Sequence, residues 1–307
     1  MEYLYLILSL VLIIVGAMML TDGSVALARK FRMPEFIVGL TIVAVGTSMP
    51  ELTVSLLSAL EGKGDMAIGN VVGSNIFNVF AILGICSLFV PIIFTKNNIR
   101  RDIPICIFAT VALVIVTFLG HDITRAEGAV LLLGYVAMIW YTIRADRKSA
   151  PKEVESAPLM PTWRIPLWIL LGLAGLIYGG DLFVDSASKL ALMWGVSEAT
   201  IAITIVAGGT SMPELASSLV AILKGRASLA LGNVLGSNIA NILLILGACS
   251  TVTPLTMGGV AMSDIYVVLA AAVMIMISAL VIGHDKLTRF EGLLFVGCYI
   301  AYIYSLM

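Results

Sequence analysis

The stretch Ala44-Val45-Gly46-Thr47-Ser48-Met49-Pro50-Glu51 returns 163 residues later as Ala207-Gly208-Gly209-Thr210-Ser211-Met212-Pro213-Glu214, with seven of eight positions identical. A second stretch, residues 69–78 (GNVVGSNIFN), returns at the same offset as residues 232–241 (GNVLGSNIAN), with eight of ten identical. Because two long motifs recur in the same order at one offset, the chain consists of two related halves.

The composition around these motifs is that of a membrane protein. Of the 307 residues, 60% are hydrophobic and 12% charged, and the mean hydropathy is +1.06. Soluble domains carry about 25% charged residues, so a soluble enzyme, a disordered chain and a disulfide scaffold are excluded. The net charge of −1 and the lack of a basic patch with interleaved aromatic residues give no indication of a nucleic-acid partner.

Ten apolar stretches are long enough to cross a bilayer, which takes about 20 mostly apolar residues per helix. The chain is therefore predicted to be an all-α polytopic membrane protein. Its segments are residues 1–144 with five spans, a charged linker at 145–164, and residues 165–307 with five more. The predicted spans lie near 3–20, 35–60, 66–92, 103–120, 128–144, 165–183, 197–223, 228–255, 264–283 and 291–307.

The positive charges divide unevenly between the two sides of such a protein. The side of the N-terminus receives three of the Lys and Arg residues, and the other side receives fifteen. Since positive residues accumulate in cytoplasmic loops, we expect a cytoplasmic linker and both termini outside, in the plasma membrane. Five spans per half is an odd number, so the second half enters the membrane inverted, as in many secondary transporters.

Two acidic residues, Glu51 and Glu214, are predicted to lie deep within spans, at equivalent positions of the halves. A charge at the bilayer centre costs roughly 2.5–3.5 kcal/mol on insertion scales. Every Lys and Arg falls in a loop or at a predicted span end, so the sequence offers these acids no partner at that depth. They must be protonated or balanced by a cation from solution.

Oxygen-bearing side chains and backbone accompany both acids. Pro50 and Pro213 open their helices and free carbonyl groups, near Gly46 and Gly209. Hard cations such as Ca²⁺ take about six to eight oxygen ligands, whereas soft metals bring Cys or His. The hydroxyl and amide groups predicted to share the faces of the two acids, or a face of the following span, are Thr47, Ser48, Thr210, Ser211, Ser74, Asn78, Ser237 and Asn241.

Other polar and small residues of the motifs have structural interpretations. Asn70, Asn75, Asn233 and Asn238 are predicted to form hydrogen bonds between helices, and the G-x-x-x-G pairs of residues 69–73 and 232–236 to be close packing faces. Asp22, Asp181 and Asp185 are predicted to cap helices at the interface, His121 and His284 to lie in loops, and the four cysteines to be packing residues.

At G-T-S-x-P-E followed by G-N-x-x-G-S-N-x-x-N, present twice, the chain resembles the sodium/calcium exchanger family. The resemblance implies an inverted pair of five-helix repeats with four central ion sites, formed by the second, third, seventh and eighth helices. It departs at 78 and 241, which are both Asn here, whereas known members have an Asp at one of them. The ligands it implies are the carboxylates of Glu51 and Glu214, the hydroxyls of Thr47, Ser48, Thr210 and Ser211, the carbonyls of Ala44 and Ala207, and Ser74, Asn78, Ser237 and Asn241.

The expected function is antiport of Na⁺ against Ca²⁺, with the first and sixth helices sliding against a fixed core as the resemblance implies. The alternatives are exchange of Ca²⁺ or another divalent ion such as Mn²⁺ for H⁺, and a channel. An intramembrane protease is disfavoured: Tyr178-Gly-Gly-Asp181 is similar to an aspartyl protease motif, but no second Asp is predicted within a span. We expect no cofactor, no enzymatic activity and no obligate protein partner, and the linker is too short for a calcium-sensing domain.

Overall fold

The computed structural model describes residues 1–120, 122–146, 160–195 and 207–306, and this part of the chain is almost entirely helical. His121, most of the linker and residues 196–206, which include the start of the seventh predicted span, lie outside the described residues. The helices are α1 (Glu2–Lys30), α2 (Glu35–Thr47), α3 (Met49–Leu60), α4 (Gly64–Phe89), α5 (Asn98–Phe118), α6 (Arg125–Asp146), α7 (Arg164–Met193), α8 (Met212–Leu223), α9 (Ala227–Val252), α10 (Met262–Ile282) and α11 (Arg289–Leu306).

Membrane-spanning helices make up most of this structure. Within the described residues, seven helices are long and apolar enough to cross a bilayer, and the bent pair α2 and α3, which meet at 46°, makes an eighth. The apolar helix α8 is shorter, and it lies in the second part of the seventh predicted span. The helical membrane fold is therefore confirmed, while the count of ten spans stays a prediction.

Two helices are longer than the sequence indicated. The first span was predicted to end near residue 20 and the sixth near residue 183, but α1 continues to Lys30 and α7 to Met193. A charged residue ends an apolar stretch without ending a helix, since Asp, Lys and Arg are tolerated wherever the helix surface meets water. Both helices therefore continue past the apolar stretches from which the spans were predicted.

The three aspartates at these predicted ends therefore do not cap helices. Asp22 lies inside α1, and its Oδ1 atom is 2.6 Å from Nζ of Lys224. Asp181 and Asp185 lie inside α7 and are exposed, with Asp185 2.6 Å from Lys189 one turn later. The capping interpretation was wrong, and all three project from the surface of continuous helices.

The longest helices, α1 and α7, pack against each other along their length, and glycines bring their backbones together. A Cβ atom on Gly172 would lie 2.6 Å from the backbone nitrogen of Leu20, and one on Gly16 would lie 2.8 Å from the Gly172 carbonyl oxygen. Small residues permit such close approach between membrane helices. The two helices thus form a close backbone contact lined by glycines.

Within the described ranges, four two-residue strands, which the all-α prediction missed, pair across the two halves. β1 (Ile92–Ile93) pairs antiparallel with β4 (Lys286–Leu287), and β2 (Asp122–Ile123) pairs with β3 (Leu255–Thr256). Each pair joins a loop of the first half to a loop of the second. Short apolar runs of this kind give no strand signal above that of the flanking helices.

The centre of the fold consists of α4 and α9, the most buried of the long helices. Helix α2 packs closely on α9, where a Cβ atom on Gly232 would lie 2.2 Å from the Phe36 carbonyl oxygen. The predicted packing face of residues 232–236 is confirmed by this contact. The one predicted at residues 69–73 was wrong, since a Cβ atom on Gly69 would lie 3.8 Å from Val260 and one on Gly73 would meet no atom within 4 Å. The breaks between α2 and α3, and before α8, lie against these central helices.

Candidate cation site

The repeated motif places a helix break next to each glutamate. In the first half α2 ends at Thr47, Ser48 has φ −84° and ψ 11°, and α3 begins at Met49. In the second half a short helical turn at Ala207–Gly209 precedes Ser211, with φ −90° and ψ 9°, and α8 begins at Met212.

Proline and the acid follow each break in the first turn of the new helix. Proline is favoured there because its missing N–H is one that the first turn leaves unpaired anyway. The prolines thus begin a second helix instead of kinking a continuous one. Both glutamates lie at helix N-termini, where the helix dipole favours negative charge.

Each glutamate receives a hydroxyl from the serine of the opposite half. Ser211 Oγ donates to Glu51 Oε1 at 2.9 Å, and Ser48 Oγ donates to Glu214 Oε1 at 2.8 Å. The sequence predicted that each serine would share the helix face of the glutamate in its own half. The hydrogen bonds found join each serine to the glutamate of the other half, a contact that the sequence did not indicate.

A third hydroxyl joins the first glutamate to this network. Ser74 Oγ of α4 donates to Glu51 Oε1 at 3.0 Å and is 2.6 Å from Ser211 Oγ. The structure therefore brings together residues from α3, α4 and the second break around a single carboxylate oxygen. Their sequence positions span both halves, so the site exists only when the halves are packed together.

The two carboxylates are buried and lack a counter-ion from the part of the protein that the structure describes. Glu51 and Glu214 are each 1% exposed. Within the described residues neither takes part in an ion pair, and the second oxygen of each, Oε2, has no hydrogen-bond partner. An unpaired buried polar atom costs about 1–3 kcal/mol, and a charged one costs more, so these oxygens favour a positively charged ligand.

Further oxygen atoms of the predicted set lie buried in the same core. Asn78 and Asn241 are each 1% exposed and occupy equivalent π-helical turns, Phe77–Leu83 in α4 and Ala240–Leu246 in α9. Wide turns of this type are frequent at functional sites. In the described part of the chain, the side-chain polar atoms without a hydrogen-bond partner include those of Asn78, Asn241, Ser237 and Thr210.

The remaining predicted ligands already accept or donate hydrogen bonds within the protein. The Ala44 carbonyl oxygen accepts from the backbone nitrogen of Ser48 at 3.0 Å and lies 3.3 Å from Thr47 Oγ1. Thr47 Oγ1 also donates to Oδ1 of Asn233 at 3.2 Å. Ala207 begins the turn before the second break.

Two asparagines that were predicted only to form hydrogen bonds between helices contact the backbone carbonyl groups of the two glutamates. Asn70 Nδ2 donates to the Glu51 carbonyl oxygen at 3.2 Å, and Asn233 Nδ2 lies 3.5 Å from the Glu214 carbonyl oxygen. Their recurrence at the second position of the G-N-x-x-G-S-N stretch was the available signal. It indicated importance but not which group the amide contacts.

Known proteins with similar sequences and structures support the same grouping. The profile of the family described as "Sodium/calcium exchanger protein" matches residues 1–144 and 164–307. The putative antiporter CaxA of Alkalimonas amylolytica is 37% identical over 318 residues, which cover 99% of this chain and 98% of CaxA. The sodium/calcium exchanger MaX1 of Methanosarcina acetivorans is 28% identical over 98% of this chain and 97% of MaX1.

A solved structure of the sodium-calcium exchanger NCX_Mj, soaked with Na⁺ and Ca²⁺, superimposes on the whole chain with a TM-score of 0.86. It is 30% identical, and 98% of that chain is covered. The fold and the buried acids define a helical membrane protein with two buried carboxylates, one from each of two related halves. The chain belongs to the sodium/calcium exchanger family, as the resemblance in its two motifs predicted.

Proposed function

We propose that this protein is a secondary active antiporter that exchanges Na⁺ for Ca²⁺ across the membrane by alternating access. The observation that carries the proposal is the pair of buried carboxylates, Glu51 and Glu214, which have no cationic partner among the described residues. The similarity to MaX1, named a sodium/calcium exchanger, and to NCX_Mj supports the choice of ions.

The proposed ligands are all oxygen atoms, which suits Ca²⁺ and Na⁺ alike. Two carboxylates neutralise one Ca²⁺, and hydroxyl, amide and carbonyl oxygens complete its coordination. Na⁺ ions of similar size use overlapping oxygens, so the two ions exclude each other and exchange follows. The proposed set is Glu51, Glu214, Thr47, Ser48, Thr210, Ser211, Ala44, Ala207, Ser74, Asn78, Ser237 and Asn241.

The proposed arrangement in the membrane has ten spans in two inverted repeats, residues 1–144 and 165–307, with both termini outside. The linker of residues 145–164 is cytoplasmic, and the membrane is the plasma membrane. Contacts between distant segments support this topology, because β1 and β4 belong to loops predicted on one face, and β2 and β3 to loops predicted on the other. The contact of α1 with α7 is lined by glycines without side chains, which suits the proposed sliding of these helices.

A gradient-driven flux assay tests the proposal directly. In proteoliposomes loaded with Na⁺ and diluted into choline medium, we expect Ca²⁺ uptake to rise several-fold over vesicles with equal Na⁺ on both sides. Protein-free vesicles and a Na⁺ ionophore serve as controls, since collapsing the gradient must collapse the uptake. Uptake that ignores Na⁺ contradicts the proposal.

Exchange of Ca²⁺ for H⁺ is the second candidate, and the neutral side chains at 78 and 241 favour it. With Asn at both positions, the site holds two carboxylates, each of which can bind one proton in place of the divalent ion. The same vesicles with a pH gradient and no Na⁺ discriminate between the candidates. Uptake driven by the pH gradient alone selects H⁺ as the coupling ion.

Introducing a third acidic side chain tests whether position 241 belongs to the site. We expect Asn241→Asp to shift the Na⁺ concentration for half-maximal Ca²⁺ release by about threefold or more, roughly 0.7 kcal/mol, because the added charge attracts another cation. Asn78→Asp, at the equivalent position, is the matched comparison. An unchanged Na⁺ dependence in both variants would remove these positions from the site.

A further inference from the structure

A cavity of about 380 Å³ lies at the linker end of the molecule, between α1 and the loop that joins α8 to α9. Sites for small molecules and cofactors typically have volumes of about 300–1,000 Å³. Two residues of α1 in its lining, Val25 and Ala26, are each 7% exposed. The other described residues that line it are Thr21, Asp22, Arg29, Met160, Lys224 and Arg226, and none of them is a proposed ion ligand. The cavity is therefore a second candidate binding site.

The charges that line this cavity do not balance. Nζ of Lys224 lies 2.6 Å from Oδ1 of Asp22, and Nη1 of Arg226 lies 3.0 Å from Oε1 of Glu35. Arg29, the third cation, is half-buried and takes part in no ion pair within the described part of the chain. Removing a cation from water without a counter-ion is unfavourable, so the cavity favours an anionic ligand beside Arg29.

The side chain of Arg29 suits one class of anion. A guanidinium group presents its N–H donors in a planar fork, which matches two oxygen atoms of a phosphate with two parallel hydrogen bonds. Arg29 lies one turn after Val25 and Ala26 on α1, so a ligand that reaches the guanidinium group also contacts apolar side chains. A phosphate group attached to a glycerol or another organic body fits this combination better than a free inorganic anion does.

The cavity lies at the depth of the lipid head groups. Helix α1 has 29 residues, which at about 1.5 Å per residue makes it about 43 Å long, the thickness of a bilayer including its head groups. Arg29 is the residue before the last one of this helix. Trp163, which precedes the neighbouring helix α7, is 64% exposed, and Arg164 lies over its ring at 5.0 Å. Tryptophan is enriched at the interface between membrane and water, so this end of α7 supports the same depth.

We propose that the cavity binds the head group of an anionic phospholipid through its phosphate. Arg29 donates two hydrogen bonds to the phosphate oxygens, Lys224 supplies a second positive charge, and Val25 and Ala26 contact the glycerol. The proposed cytoplasmic position of the linker agrees with this ligand, because anionic lipids give the cytoplasmic leaflet its negative surface potential and basic pockets between membrane helices bind their head groups. The assignment goes beyond the proposed ion exchange, since it involves neither Na⁺ nor Ca²⁺.

Thermal unfolding in a nonionic detergent measures this binding, because a ligand of the folded state raises the unfolding temperature as its concentration exceeds the Kd. The full chain is titrated in potassium buffer, without Na⁺ or Ca²⁺, with phosphatidylglycerol, with phosphatidylcholine or with inorganic phosphate. We expect phosphatidylglycerol to raise the unfolding temperature by several degrees more than an equal concentration of phosphatidylcholine, whose choline group is repelled by the cavity. Inorganic phosphate should have little effect, since it makes no apolar contacts.

Two substitutions in the cavity and one beside it assign the binding to this place. Arg29→Gln is expected to raise the apparent Kd for phosphatidylglycerol at least about tenfold, the effect of one charge-assisted hydrogen bond. Ala26→Phe fills the cavity without changing the charge, so it should abolish the extra stabilisation by phosphatidylglycerol. Lys30→Gln is the matched control, because it removes the same charge from an exposed side chain outside the lining. Salt screens such a charge, so the Kd of the control should stay within about twofold of the parental value.

Three results would overturn the assignment. Equal weakening in Arg29→Gln and Lys30→Gln would mean general attraction to a basic surface. Stabilisation by inorganic phosphate equal to that by phosphatidylglycerol would mean a site for free anions. If Arg29→Gln does not fold in detergent, Ala26→Phe decides, and phosphatidylglycerol binding at the parental affinity in that variant is the third such result. Specific phosphatidylglycerol binding by a protein without Na⁺-driven Ca²⁺ uptake would support the lipid site while rejecting the proposed ions.

Discussion

Replacing either Glu51 or Glu214 by glutamine is expected to abolish Ca²⁺ transport while the protein stays folded. Glutamine has the same shape, but it removes one of the two charges that neutralise the divalent ion. Breaking a buried charge pairing costs about 3–5 kcal/mol, so we expect Ca²⁺ affinity to fall by at least about a hundredfold. Because each carboxylate is 1% exposed and lacks a protein counter-ion among the described residues, its neutralisation should not destabilise the fold.

The measurement combines Ca²⁺ uptake into proteoliposomes with thermal unfolding in detergent. Glu61→Gln is the matched control, since Glu61 lies in the same half and its side chain is 61% exposed beside Lys63. We expect this control to transport at the parental rate. Full transport by both buried variants would show that the cation site lies elsewhere, whereas a lowered unfolding temperature would indicate a structural role for the acid.

The sequence predicted the buried acids because the signal is local. An acid within an apolar stretch is conspicuous, and the repeat at 163 residues marks Glu51 and Glu214 as equivalent. Burial of Asn78 and Asn241 also follows from the repeat, since both stretches are apolar on either side. Local sequence thus identified which residues enter the core.

The contacts between the halves were beyond such reasoning. Ser48 and Ser211 bond to the glutamate of the opposite half, and these contacts depend on how the two halves pack, which the sequence of one half does not determine. The Thr47–Asn233 bond joins residues 186 positions apart. Nothing in one repeat indicates that its two copies adopt different contacts, since their sequences are almost the same.

A buried ion network at the linker end was missed for a similar reason. Arg101 was predicted only as one of many charges at span ends, but its guanidinium group is largely buried between two carboxylates. It donates to Asp102 at 2.7 Å and forms two parallel bonds with Asp146 at 2.6 and 2.8 Å. Side-chain exposure is 11% for Arg101, 1% for Asp102 and 6% for Asp146. The network joins the start of α5 to the end of α6, where the linker begins.

Arg101→Met should therefore destabilise the protein strongly. It leaves two buried carboxylates without their cation, and breaking such a pair by removing one partner costs about 3–5 kcal/mol. We expect the unfolding temperature in detergent to fall by about 5 °C or more.

Lys189→Met is the matched control, because it breaks an ion pair with Asp185 in which the side chains are 51% and 57% exposed. Exposed ion pairs of this kind contribute about 1 kcal/mol at most. Adding Asp102→Asn and Asp146→Asn to Arg101→Met should recover most of the loss, since the uncompensated charge is then gone. Equal losses in Arg101→Met and Lys189→Met would mean that the network is solvated and does not fix the junction between the first half and the linker.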